Sequence, residues 1–284
     1  MRAVSRSAGA EEVRLPAEAL ALALTAAVIH AVWNMLLAGA RDSQAFGAVV
    51  LLVGIVAGAP VAALDWRLDA GVWPYLAATS ALELAYFGLL AVAYGRAELS
   101  VVYPLARGLA PVLVLAGAAA FTGAVTTPRQ VAGVLTVGAG ILLVRGVRRG
   151  PGALLAVTIA CAIASYTVVD KHGVAHASPV TYLELMSIAV GLAYAGAIVA
   201  RRGVAPLRAE LGWRSVAAGI GTFTAYACVL GALQLASAAS VAAVRESGVL
   251  VATALAAIVL RERVTVWRAG GAALVVAGIV LLSI

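Results

Sequence analysis

Residues 133–143 read GVLTVGAGILL, and residues 271–281 read GAALVVAGIVL. Gly133, Val137, Ala139, Gly140, Ile141 and Leu143 recur as Gly271, Val275, Ala277, Gly278, Ile279 and Leu281. The same ungapped offset sets Thr127 against Thr265 and Arg107 against Arg245. Apolar runs coincide by chance, because Val and Leu dominate them. Two arginines in register inside apolar surroundings are harder to match by accident. The chain reads as one unit carried twice.

Around that repeat the sequence is apolar almost everywhere. Of 284 residues, 63% are hydrophobic and 12% charged, with a mean hydropathy of +1.03. A soluble domain carries about 25% charged residues, so the solvent for most of this chain is lipid. A hydrocarbon core about 30 Å thick takes about 20 helical residues to cross. Cutting at charged and Pro/Gly clusters predicts ten spans: 17–38, 44–64, 72–94, 98–121, 128–145, 152–171, 179–200, 213–235, 238–260 and 265–283. Connections such as Arg41-Asp42 and Thr126-Thr127-Pro128 are tight turns that force successive helices antiparallel. Five spans followed by five make an odd-numbered repeat, so the second half is expected inverted around a central cavity. Residues 1–16 read as a polar tail without a signal-peptide cleavage pattern, 17–145 as the first repeat and 152–284 as the second.

Net charge is +7, yet the basic residues sit in short connections such as Arg145, Arg148 and Arg149, or Arg201, Arg202 and Arg208. That placement suits anionic lipid headgroups and excludes a nucleic-acid surface. Cys161 and Cys228 fall inside apolar spans and read as small buried side chains. There is no HExxH, no CxxC and no nucleophile elbow, so neither an enzyme nor a resident metal or cofactor is expected.

A charged side chain at bilayer depth costs at least about 2.5–3.5 kcal/mol, so each one needs a reason. His30, Trp33, Asn34 and Leu37 share one helical face, as do Glu83 and Phe87 with Tyr94, and Tyr103 and Arg107 with Pro111. Tyr166 pairs with Asp170, Thr222 with Tyr226, and Arg245 with Gly248 and Ala252. Such faces cannot point at lipid and describe an aromatic-lined cavity for a small organic molecule. The binding candidates are Trp33, Asn34, Glu83, Tyr86, Tyr103, Arg107, Tyr166, Tyr226 and Arg245, with Glu83 and His30 as proton carriers. The competing reading is a fixed ion pair, Glu83 with Arg107, that only fastens helices. Glu246 adjoins Arg245, points about 100° away on an ideal helix, and reads as the poorer arginine partner. Tyr182 and Glu184 lie near the start of the seventh span and are expected to be interfacial, while Glu98, Asp170, Lys171 and His172 lie near span ends and are expected to be solvated. Gly54-x-x-x-Gly58 has the spacing of close helix packing, within the chain or across a homodimer.

HAVWN at 30–34, AYGRAELSVVYPLARGLAP at 93–111, SYTVVDK at 165–171 and the two glycine-rich endings at Gly133 and Gly271 resemble the EamA family of the drug/metabolite transporter superfamily. The resemblance covers nearly the whole chain after residue 17. It implies two inverted five-helix halves around a cavity lined by the first, third, fourth, sixth, eighth and ninth helices. It also implies export of small metabolites across the inner, or plasma, membrane. Tyr103, Pro104, Arg107 and Pro111 occupy its fourth-helix motif. One departure is Thr122-Gly123-Ala124, where the family often carries Gly-Glu; Ala124 aligns with Glu262. The leading expectation is a secondary transporter of a small polar, anionic or zwitterionic metabolite. Proton-coupled efflux of lipophilic cations is the alternative, against which Arg107 and Arg245 count; a non-transporting scaffold or lipid-handling protein is the other. The face opposite the N-terminus carries 12 of the 20 Lys and Arg and the N-terminal face 6, Arg107 and Arg245 lying between. That bias places both termini outside the cytoplasm, whereas the resemblance implies cytoplasmic termini.

Overall fold

The computed structural model describes residues 15–96, 99–146, 152–259 and 265–284. They form helices α1 (Ala17–Leu37), α2 (Ser43–Leu64), α3 (Trp73–Arg96), α4 (Leu99–Thr122), α5 (Pro128–Arg145) and α6 (Ala153–Gly173). There follow α7 (Pro179–Arg202), the short α8 (Ala205–Glu210), α9 (Trp213–Leu235), α10 (Ala238–Arg245), α11 (Gly248–Val259) and α12 (Val266–Ser283). Among the described residues no strand forms; Leu68 and Ala177 make an isolated bridge. Eight of these helices are long and apolar enough to cross a membrane, and α5 is a shorter apolar helix. The chain is a multi-pass, all-helical membrane protein.

Helix starts are capped where water is scarce and an orphan N–H is costly. Thr127, Ser178, Ser237 and Thr265 each accept a backbone N–H two or three residues into the helix, and Asp42 accepts from Gln44 and Ala45. Pro128 and Pro179 occupy first helical positions, where no N–H is needed.

One expected span is not continuous. Residues 238–260 break at Glu246-Ser247, where the N–H groups of Glu246 and Ser247 reach back to Ala243 (3.2 Å) and Val244 (2.9 Å) in tightened turns. Beyond the break a Cβ on Gly248 would lie 3.0 Å from the Ala27 carbonyl, so α11 starts pressed against α1. Small residues also set the other crossings. A Cβ on Gly140 would lie 2.7 Å from the Gly271 carbonyl, and one on Gly278 would lie 2.8 Å from that of Gly133. That order makes α5 and α12 antiparallel and in backbone contact. Gly54 and Gly58 both face α9, Gly54 at the Gly219 carbonyl and Gly58 under the Phe223 ring, so this motif packs within the chain rather than across a dimer.

Helix α1 packs on α9, α10 and α11; α6 packs on α3 and α4; α2 packs on α7 and α9; and α3 packs on α7. On the N-terminal face the α2–α3 connection is strapped to the α6–α7 connection. Asp69 N–H donates to the His176 carbonyl (2.7 Å), Ser178 N–H to that of Arg67 (3.0 Å), and the Ser178 hydroxyl to that of Asp65 (2.7 Å). On the opposite, arginine-rich face Asp42 pairs with Arg202 and its N–H donates to Glu210 (2.8 Å). There Arg214 also donates to the carbonyls of Leu36 and Gly39, each at 2.9 Å.

Candidate functional site

The arginine-rich face opens into a cavity of about 1030 Å³ including its mouth. Leu37, Ser43, Gln44, Leu90 and Tyr194 surround the mouth; Glu83, Tyr166, Tyr226 and Arg245 lie deeper. Of the residues singled out from sequence, Trp33, Glu83, Tyr86, Arg107, Tyr166, Tyr226 and Arg245 line this one cavity, with His30. Asn34 lines an adjoining pocket with Arg107 and Glu246, and its amide donates back to the His30 carbonyl at 2.7 Å. Glu98, Glu262 and the side chains of Tyr94 and Tyr103 lie outside the described residues.

The buried charges pair differently from expectation. Arg107 Nε lies 3.1 Å from Glu246 Oε2, and Arg245 Nε lies 3.9 Å from Glu246 Oε1. Glu246, not Glu83, is therefore the partner of Arg107. Its direction follows from the break: α10 stops at Arg245, Glu246 sits at φ −70° and ψ −8° in the capping turn, and its carboxylate reaches across to α4. Two guanidiniums thus share one carboxylate beside the cavity. Arg245 Nε is buried and makes no hydrogen bond.

His30 stands between two donors. Trp33 Nε1 is 3.1 Å from its Nδ1, and Arg107 Nη2 is 2.9 Å from its Nε2. Indole and guanidinium groups only donate. A neutral ring accepts from one of them, and a protonated ring from neither, so protonating His30 requires both neighbours to move.

Sequence reasoning missed the floor. Asp170 is fully buried, not solvated. Its Oδ1 accepts from Thr79 (2.6 Å) and Tyr182 (3.0 Å), and its Oδ2 from Tyr226 (2.6 Å). The carboxylate thereby joins α3, α6, α7 and α9. Tyr182 and Glu184 are buried as well. The strap across the N-terminal face covers these helix ends, and distance from a span end carries no sign of that cover. Tyr226 bridges the floor to the cavity, where its ring and that of Tyr86 both meet Tyr166 edge-on, with centroids 6.5 and 6.1 Å apart. The Tyr166–Asp170 and Thr222–Tyr226 spacings, each within one turn, were the signals the sequence offered for this cluster. Cys161 is exposed on the outer surface and Cys228 half-buried, contrary to the buried reading. Among the described residues, no group of three His, Cys, Asp or Glu converges in metal-binding geometry.

Residues 150–284 match the model of the EamA-like transporter family. A solved structure described as "Crystal structure of protein" is similar over 93% of this chain and 95% of its own, with a TM-score of 0.77 at 20% identity. Similarity at that identity speaks for the fold alone. No curated protein matches. The second half of the chain is therefore similar to the EamA-like transporter family, the family its motifs resemble.

Proposed function

We propose that this protein is a secondary transporter exporting a small anionic or zwitterionic metabolite by alternating access between two inverted five-helix halves. The observation that carries the substrate class is the Arg107–Glu246–Arg245 group, two positive charges against one negative beside a cavity. A buried guanidinium donor left unfilled is costly, and the carboxylate of a solute is the group that fills it. Glu83 and the Tyr166 and Tyr226 rings offer an ammonium group a carboxylate and aromatic faces. Lipophilic cations suit the site poorly, because they would face both arginines.

Several symmetric features support inverted halves. Exchanging the halves carries the contact of Gly140 with Gly271 onto that of Gly278 with Gly133. An antiparallel pair exchanged in this way has its twofold axis across the helices, which is in the membrane plane. Helices α1 and α6 both have 21 residues, and α5 and α12 both have 18. The packing of α1 on α9 answers that of α6 on α3, and α2 on α9 answers α7 on α3.

Thermal unfolding of the purified protein against amino acids, their methyl esters, simple carboxylates and quaternary ammonium ions tests the substrate class. Ligand at about 100 times its Kd stabilises by about 2.7 kcal/mol, so acids should raise the melting temperature and esters should not. Equal stabilisation by esters or cations would overturn the reading. Proton coupling is assigned to Glu83, the carboxylate on the cavity wall. Glu83→Gln should flatten the pH dependence of transport in proteoliposomes; an unchanged profile removes that role.

A further inference from the structure

The floor of the cavity has a counterpart at its mouth. Helices α1 and α6 are equally long, so position 34 of the first answers position 170 of the second. Helices α3 and α9 both start on tryptophan, Trp73 and Trp213, which sets Tyr86 against Tyr226. The bond from the Tyr226 hydroxyl to Asp170 at 2.6 Å therefore has an equivalent pair, Asn34 and Tyr86, near the arginine-rich face. In the present conformation that pair is apart in function: Asn34 donates to its own helix at His30, while the Tyr86 ring packs on Tyr166 and Phe87.

The helix packing has the same asymmetry. At the floor α9 packs on both α6 and α7. The equivalent contacts, α3 on α1 and on α2, are not among the packed pairs of the described residues. Helix α3 stands across the mouth from α1, with His30, Trp33 and Leu37 on one wall and Tyr86 and Leu90 on the other. Both of these contacts would lie at the open end.

We propose that these two pairs are alternating latches. Asp170–Tyr226 holds the N-terminal face shut in the conformation seen, and Asn34–Tyr86 closes in its place when the arginine-rich face shuts. The inference rests on the transporter reading with inverted halves. The amide oxygen of Asn34 accepts a phenol hydroxyl as a carboxylate does. The two latches are unequal, however. Asp170 also accepts from Thr79 and Tyr182, whereas the equivalent positions hold Gly219 and Phe46, which offer no side-chain donor. The floor latch is the stronger, which explains why the cavity rests open toward the arginine-rich face.

Cysteine cross-linking tests this in protein carrying Cys161→Ser and Cys228→Ser, reconstituted in phosphatidylethanolamine–phosphatidylglycerol vesicles. Asn34→Cys with Tyr86→Cys should cross-link through a short bis-maleimide well above Val32→Cys with Tyr86→Cys, Val32 being exposed on the outer side of α1. Adding Tyr226→Phe should raise the yield about fivefold, the population shift that loss of one hydrogen bond produces; should that variant misfold, Asp170→Ala, which leaves no acceptor for the Tyr226 hydroxyl, should raise it at least as much. A yield no higher than the control, or one indifferent to both floor variants, overturns the latch. Spin labels at Trp73→Cys and Leu235→Cys, both exposed on the N-terminal face, separate that failure from a wider one. Two distance populations without the cross-link would leave transport standing and remove the latch. A single distance in every variant would remove alternating access itself, and the latch with it.

Discussion

Glu246 holds the charge balance of the cavity, and its variants separate binding from fastening. Glu246→Gln leaves the partly buried Arg107 and the buried Arg245 with no anion between them, and breaking a fully buried pair costs about 3–5 kcal/mol, an upper range for this one. The empty protein should melt earlier, and a saturating carboxylate ligand should restore much of the loss. If the ligand restores nothing, the arginines do not meet the solute. Arg107→Lys keeps the charge and loses the planar fork, so carboxylate affinity should fall about tenfold or more while the empty protein stays folded. An unchanged affinity with a lower melting temperature would make Arg107 structural. Both arginines were legible in the sequence, because a charge repeated in register inside apolar spans has few explanations. The partnership of Glu246 was not, because the 100° offset holds only while the helix continues, and the chain breaks at that residue. Asp170 was legible as an acid near a span end but not as a buried one, because its partners Thr79 and Tyr226 come from helices far away in sequence.

Between helices, glycine decides how closely α5 and α12 approach. Gly140→Val would place its Cβ 2.7 Å from the Gly271 carbonyl, and backbone cannot yield as a side-chain tip does. Overpacking of this kind costs about 1–3 kcal/mol. Gly196→Ala on α7, where an added Cβ meets nothing within 4 Å, should be neutral or slightly stabilising in the same melt. Equal behaviour of the two variants would refute the close crossing. The joint at the start of α2 adds a pH dependence. Burial alone would raise the pKa of Asp42, but the Arg202 hydrogen bond and the N–H groups of Ala45 and Gln44 outweigh it and leave it lowered. A depressed carboxylate stabilises above its ordinary range and loses that contribution as pH falls through its lowered value. Asp42→Ala should therefore cost about 1 kcal/mol at neutral pH, mostly as a lost cap, and the gap to the parent protein should close in acid. A gap constant with pH would mean that neither Arg202 nor the helix N–H groups favour the ionised carboxylate. Span lengths were readable from hydropathy, since the bilayer sets them. The α10–α11 break was not, because Arg245, Glu246 and Ser247 carry no proline to announce it.

Across the whole molecule the remaining question is which compartment the cavity faces. It opens on the face where Arg201, Arg202, Arg208 and Arg214 gather, while the opposite face is strapped shut. The excess of basic residues belongs in the cytoplasm. On that rule the open cavity faces the inside of the cell, as the proposed export requires, and both termini lie outside. The family resemblance carries the opposite orientation, so the two expectations differ on one measurable point. In protein lacking Cys161 and Cys228, Leu211→Cys marks the arginine-rich face and Trp66→Cys the strapped one; both parent residues are more than half exposed. A membrane-impermeant maleimide applied to intact cells should label Trp66→Cys and spare Leu211→Cys, and inverted vesicles should give the reverse. The opposite pattern would mean that charge bias in this chain is overridden. The conformation described here would then face outward, after release rather than before loading. The strap joining residues 65–69 to 176–178 would become the cytoplasmic gate, and variants of Asp170 would open the protein toward the cell interior.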